Sequence, residues 1–156
     1  PGRRLDDNVN MLLRYHGGAK GMLWASQVAP GHENGLRLRV YGTRGGIEWG
    51  QAEPNTLIHS PLGESRRLVT RGSPAADASA ARLTRIPSGH PEGYLEGFAN
   101  LYSEAAQAIR ALDAGRPIPP EVEFPGLDDG IKGMALIEAA VKSAAVGAVW
   151  VLPEFV

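Results

Sequence analysis

The sequence predicts an α+β fold: a predominantly antiparallel open sheet with helices packed on one face and the other face open. Two observations carry this. The first half alternates apolar and polar residues with period 2, which marks half-buried strands. The second half places apolar residues three and four apart, which marks amphipathic helices. Strands first and helices second is the order of an α+β domain rather than of repeated strand–helix–strand units.

The strands follow in order. Asn8–Tyr15 sets Val9, Met11, Leu13 and Tyr15 on one side and Asn8, Asn10 and Arg14 on the other. His16-Gly17-Gly18-Ala19 reads as a turn, because glycine tolerates positive φ. Lys20–Gln27 is the return strand, with Leu23 and Ala25 on one face and Met22, Trp24 and Ser26 on the other. Pro30–Gly35 is rich in turn formers. Leu36–Tyr41 alternates again, Leu36, Leu38 and Val40 inward and Arg37, Arg39 and Tyr41 outward. Gly42–Gly46 turns the chain tightly into a strand ending at Trp49. Thr56–His59 and Arg67–Arg71 are two shorter strands, joined through Pro61-Leu62-Gly63.

Gly72–Gly89 is rich in Ser, Ala, Gly and Pro, and reads as a loop with one short helix at Ala75–Leu83. Beyond it, Leu95, Phe98, Tyr102, Ala105, Ile109 and Leu112 form one helical stripe expected to be buried. Pro91 suits its first turn, and Gly115 with Pro117 ends it. A second helix starts with Asp128 or Asp129 as N-cap and runs through Ile131, Met134, Ile137, Val141 and Ala144 to a stop at Gly147. Val149–Leu152 reads as a final strand.

Composition excludes several function classes. The chain has 156 residues, 43% hydrophobic and 21% charged, which describes one ordinary globular domain. Sixteen basic against 17 acidic residues leave a net charge of −1, without the basic face that nucleic acid requires. There is no cysteine, so neither disulfides nor thiolate metal sites are available. No apolar run reaches the roughly 18 residues of a membrane span. Pro1-Gly2 carries no initiator Met and no signal-peptide pattern, and reads as a cut inside a longer, cytoplasmic protein.

Catalytic motifs are scarce. His16, His32, His59 and His90 lack metal-ligand spacing, and no Gly-x-Ser-x-Gly elbow supports a serine hydrolase. A dinucleotide fingerprint needs Gly-x-Gly-x-x-Gly between a strand and a helix. The glycine clusters at 17–18, 42–46 and 126 do not have that spacing followed by a helical pattern. The candidate binding residues are therefore few. Trp24 stands on the face away from the helices, where a ring needs something to cover it: a sugar, a subunit or edge packing. Gln27 ends that strand and Asn34 sits in the next loop; both suit hydroxyl recognition and both suit turns or caps. His90, before the long helix, is either a substrate contact or an exposed loop histidine. Arg37 and Arg39 suit a phosphate or, more simply, solvent or a partner subunit.

Three stretches together carry a resemblance: DNVNMLLRYHGGAKGMLWASQ at 7–27, LRLRVYGTRGGIEW at 36–49 and DDGIKGMALIEAAVKSAAVGAVWV at 128–151. With His90-Pro91-Glu92-Gly93-Tyr94, they resemble the C-terminal domain of the glucose–fructose oxidoreductase/inositol dehydrogenase/MocA (Gfo/Idh/MocA) family. The resemblance implies one half of a two-domain NAD(P)-dependent oxidoreductase acting on sugars, sugar derivatives or cyclitols. It places NAD or NADP, and a Glu-Lys-Pro catalytic lysine, in a Rossmann half that these residues do not include. This chain then holds no cofactor and no catalytic set, and is expected to be inactive alone. It implies a pocket floor for a polyhydroxylated substrate, for which Trp24, Gln27, Asn34 and His90 are the candidates. It also implies a homo-oligomer through the open sheet face, with Trp24, Arg37, Arg39 and Tyr41 as the outward set. The competing reading is a free-standing, non-catalytic assembly or ligand-binding domain. An upstream Gly-x-Gly-x-x-Gly unit would separate the two.

Overall fold

The computed structural model describes Gly2 and residues 5–155. Pro1, on which the reading of an internal cut partly rests, lies outside them. The elements are β1 (Asn8–Arg14), β2 (Lys20–Ser26), β3 (Arg37–Gly42), β4 (Gly45–Gly50), β5 (Thr56–Pro61), β6 (Arg67–Thr70), α1 (Ala78–Leu83), α2 (Tyr94–Asp113) and α3 (Leu127–Ala145). Antiparallel sheets with three helices make this an α+β fold, as the periodicities predict. The chain divides into two compact units, Pro1–Glu33 with Pro125–Val156, and Asn34–Phe124.

The first unit holds the β1–β2 hairpin and α3. The register sets Val9 opposite Ala25, Met11 opposite Leu23 and Leu13 opposite Gly21. That face is half-buried on the β1 side, whereas the Asn8, Asn10, Leu12 and Arg14 face is exposed. Helix α3 differs from expectation at its start. Gly126 is the N-cap, and Asp129 sits three residues in, its Oδ2 accepting the Gly126 N–H at 2.9 Å. The acid thus satisfies one orphan donor of the helix start without being the cap itself. After the helix, Gly147 and Ala148 both take positive φ, and Ser143 Oγ donates to the Val149 carbonyl at 2.6 Å. Val149–Leu152 forms no strand. The apolar run is strand-like, but a strand needs a ladder partner, and here the Val149 carbonyl is bonded back to the helix end. Trp150 instead lies under the Arg14 guanidinium, 3.9 Å from the ring centre.

The second unit is a four-stranded meander in the order β3-β4-β5-β6, followed by α1 and α2. Opposite residues share a face, so one row runs Leu38, Trp49, Leu57, Val69 and the next runs Arg39, Glu48, Ile58, Leu68. Leu38 and Val40 thus share one face of β3 and Arg39 and Tyr41 the other, but all six of its residues are exposed, so the expected inward set of Leu36, Leu38 and Val40 is not buried. On the polar face Arg39 Nε pairs with Glu48 at 3.3 Å, and the Tyr41 ring lies over Gly46. A Cβ at Gly46 would come within 2.6 Å of that ring, which would have to move aside.

Helix α1 begins later than the pattern suggests, because Asp77 caps it through the Ala80 N–H at 2.9 Å. Helix α2 begins at Tyr94, beyond Pro91; the residue three positions after its Gly93 cap, Glu96, accepts the Gly93 N–H at 2.8 Å. That bond holds the Glu96 carboxyl below its ordinary range. The face of α2 drawn inward is Glu104, Ala108 and Ala111 rather than the Leu95–Leu112 stripe, of which Leu95, Phe98, Tyr102, Ile109 and Leu112 stay exposed. Electrostatics explains the choice. A buried carboxylate must be bonded to be tolerated, and Glu104, only 3% exposed, receives Arg82 in a fork at 2.8 and 2.9 Å and the Glu123 N–H at 2.9 Å. Arg82 also donates to the Glu121 carbonyl at 2.6 Å, so one ion pair fastens α1, α2 and the segment after α2 together. The Arg82 fork, then the Glu123 amide, bring the Glu104 carboxyl down to about 2. The same fork raises Arg82.

Candidate functional site

Trp24 lies on β2 opposite Asn10, on the exposed face of the hairpin. Its indole N–H is already used: it donates to Asn8 Oδ1 at 2.8 Å. The ring itself remains 57% exposed, beside the cross-strand pair Leu12 and Met22, which are 71% and 78% exposed. The bond to Asn8 fixes the ring plane and leaves its apolar face open. A ring so held can stack on another flat apolar surface, but it has no donor left to offer.

Gln27 follows β2, and its N–H donates to the Asp7 carbonyl at 2.8 Å. With residues 28–33 it lines a shallow hollow of about 250 Å³, whose polar groups come from Gln27, His32 and Glu33. The sequence pointed to Gln27 but not to His32 and Glu33, which share its loop.

Asn34 begins the second unit in a left-handed conformation, φ +43°. Its carbonyl accepts the Leu36 N–H at 2.9 Å and Gln51 Nε2 at 3.3 Å. These are a turn residue's bonds, made by its backbone. His90 is exposed, with its N–H bonded to the Pro87 carbonyl at 3.2 Å. Among the described residues its imidazole has no hydrogen-bond partner, and its carbonyl accepts from Arg71. Trp24 and Gln27 thus belong to one unit, Asn34 and His90 to the other.

Sequence reading passed over the group that holds His90 in place. Arg71 directly follows β6 and Glu92 precedes α2; their side chains pair at 3.1 Å with little exposure. Asn55 Oδ1 accepts from both Arg71 Nε and the Glu92 N–H. Three polar residues spread over 37 positions leave no local pattern to detect.

The described residues do not suit a dinucleotide. Every strand pair is antiparallel. The glycine turn at 42–46 joins strand to strand, and among the described residues β6, which leads into α1, does so through residues 71–77 with the single glycine Gly72. The parallel crossover unit that cradles a pyrophosphate is therefore not formed here. Among the described residues no group of three or more His, Asp or Glu could hold a metal ion, and no helix is long and apolar enough to cross a membrane.

A family model described as the C-terminal alpha/beta domain of an oxidoreductase family matches residues 1–152. An oxidoreductase from Sinorhizobium meliloti is 56% identical, with a TM-score of 0.89 over 97% of this chain and 42% of its own. An inositol dehydrogenase homolog from Azotobacter vinelandii, solved in complex with NADH and myo-inositol, is 35% identical, with a TM-score of 0.88 over 95% of this chain and 39% of its own. An uncharacterized oxidoreductase of Bacillus subtilis, YfiI, is 36% identical over 94% of this chain and 38% of its own length. The chain thus spans about two fifths of these relatives, and it belongs to the Gfo/Idh/MocA oxidoreductase family, as a C-terminal alpha/beta domain.

Proposed function

We propose that this chain is the substrate side of an NAD(P)-dependent oxidoreductase acting on a polyhydroxylated compound, a sugar, sugar derivative or cyclitol. The reading rests above all on the A. vinelandii relative, 35% identical over 95% of the chain and bound to NADH and myo-inositol. The nucleotide is held by residues outside these 156, because the antiparallel sheets here offer it no cradle. Within this chain, Trp24 supplies a flat apolar surface for the ring of the substrate. Each unit has its own candidate hydrogen-bonding groups for hydroxyls, Gln27 in the first and Asn34 and His90 in the second. His90 is the sharpest of these, since an imidazole donates and accepts near neutral pH.

The same reading assigns the polar sheet face to a second copy of the chain. Tyr41 is 75% exposed there beside Arg37 and Arg39, and a self-complementary patch suits a two-fold interface.

Kinetics of the full oxidoreductase test the site. With a panel of cyclitols and pyranoses, NAD(P)-dependent oxidation of at least one is expected. His90→Ala should then lower kcat/KM by about tenfold, the effect of one lost polar contact of about 1.4 kcal/mol. Unchanged kinetics would return His90 to the role of an exposed loop residue.

A further inference from the structure

The loop between α1 and α2, residues 84–93, is bonded to one side chain, that of Arg71 just after β6. All five N–H donors of the Arg71 guanidinium have acceptors. Nε donates to Asn55 Oδ1 at 2.8 Å; Nη1 donates to the Ile86 carbonyl at 2.9 Å and to Glu92 Oε1 at 3.1 Å; Nη2 donates to the Pro87 carbonyl at 3.4 Å and to the His90 carbonyl. Three loop carbonyls thus converge on one cation. Glu92 closes the other side, its Oε1 accepting the N–H groups of Arg85 at 2.6 Å and Ile86 at 2.7 Å. Asn55 grips the Glu92 peptide twice, Nδ2 to its carbonyl at 2.8 Å and its N–H to Oδ1 at 2.9 Å. Ser88 Oγ donates to the Gly72 carbonyl at 2.7 Å.

The loop is therefore tied at residues 85, 86, 87, 88, 90 and 92. A stretch holding Pro87, Gly89 and Pro91 without ladder bonds would otherwise be mobile. Amid this bonding one group is left over: the His90 imidazole, exposed and without a partner among the described residues. A rigid loop that presents a single unused imidazole has little ordering entropy to lose when that group binds.

We propose that Arg71, with Asn55 and Glu92, acts as a positioning clasp that fixes the His90 loop and so sets how strongly His90 engages the substrate. The inference rests on the reading of His90 as a substrate contact. The fork matters as well as the charge. Lysine cannot reach three carbonyls, a carboxylate and an amide at once, so Arg71→Lys keeps the cation and loosens the loop.

The test is a double-mutant cycle in the full oxidoreductase: parent, Arg71→Lys, His90→Ala and the double variant, each checked for folding by circular dichroism. Arg71→Lys should raise the substrate KM by about tenfold, with kcat within about twofold and the KM for the nucleotide unchanged. In the His90→Ala background it should add nothing, because coupled residues are non-additive. If Arg71→Lys does not fold, Glu92→Gln, which keeps the acceptor oxygen and removes the charge, takes its place in the same cycle. An equal rise of KM in both backgrounds, or no rise in either, overturns the clasp. A silent His90→Ala instead defeats the site reading itself, so the two failures are distinguishable.

Discussion

Glu104 is a buried carboxyl that accepts four hydrogen bonds, two from Arg82, one from the Glu123 N–H and one from Gln107. Its carboxyl sits at about 2, against an ordinary value of 4.5, because Arg82 and the Glu123 amide bond its charged form. A carboxyl depressed by folding stabilises the fold above its unfolded value and loses that contribution as pH falls through the folded one. Stability should therefore decline between about pH 4.5 and about pH 2, and Glu104→Gln should flatten that limb. Urea midpoints at pH 7, 4 and 2.5 measure it; an identical pH slope in the variant would exclude Glu104 as the source. Trp24 poses a different question, since its N–H is occupied by Asn8 and only its ring is free. Trp24→Phe should keep substrate affinity within about threefold, while Trp24→Ala should weaken it about tenfold, if stacking is its role. Equal losses in both would point to the indole N–H instead.

Among the elements, the six strands were legible because alternation is a local signal that pairing preserves. Leu38 faces Trp49 and Arg39 faces Glu48 as their alternation implies. The final strand was not legible, because Val149–Leu152 has the composition of a strand but its first carbonyl is taken by Ser143. The inward side of α2 was missed for a related reason. Its apolar stripe is the larger, but the buried side carries Glu104, whose partners Arg82 and the Glu123 N–H come from distant positions that no local pattern links to it. Of the site, the turn-forming character of Asn34 and the loop position of His90 were visible. The Arg71–Asn55–Glu92 clasp was not, since nothing local in the chain links residues 55, 71 and 92. The loop it holds needs a glycine at its base: Gly72 has φ +68°, and a Cβ there would come within 2.6 Å of Ser88 Oγ. Gly72→Ala should cost on the order of 1–3 kcal/mol in urea unfolding. A neutral substitution would mean that the loop adjusts freely and that the clasp holds little.

For the whole molecule, the division of labour has consequences for the isolated chain. Without a crossover unit it should not bind NADH measurably. Saturable one-to-one binding tighter than about 1 mM, roughly −4 kcal/mol, in a calorimetric titration would reveal a nucleotide site in these residues. Leu95, Ile109 and Leu112 of the second unit and Met134 and Ile137 of the first stay exposed. The polar sheet face around Tyr41 should pair two copies, giving a dimer in sedimentation at micromolar concentration. Tyr41→Asp should shift it to monomer, whereas a monomeric parent at high concentration would free that face from the assignment. In the proposed reading this chain serves the substrate rather than the nucleotide. The direct measurement is the pair of Michaelis constants of the full oxidoreductase carrying Trp24→Ala and His90→Ala together. A substrate KM raised about a hundredfold, or about 2.7 kcal/mol, with the KM for the nucleotide unchanged is the expected result; a shift in the nucleotide constant with the substrate constant unmoved would overturn that reading.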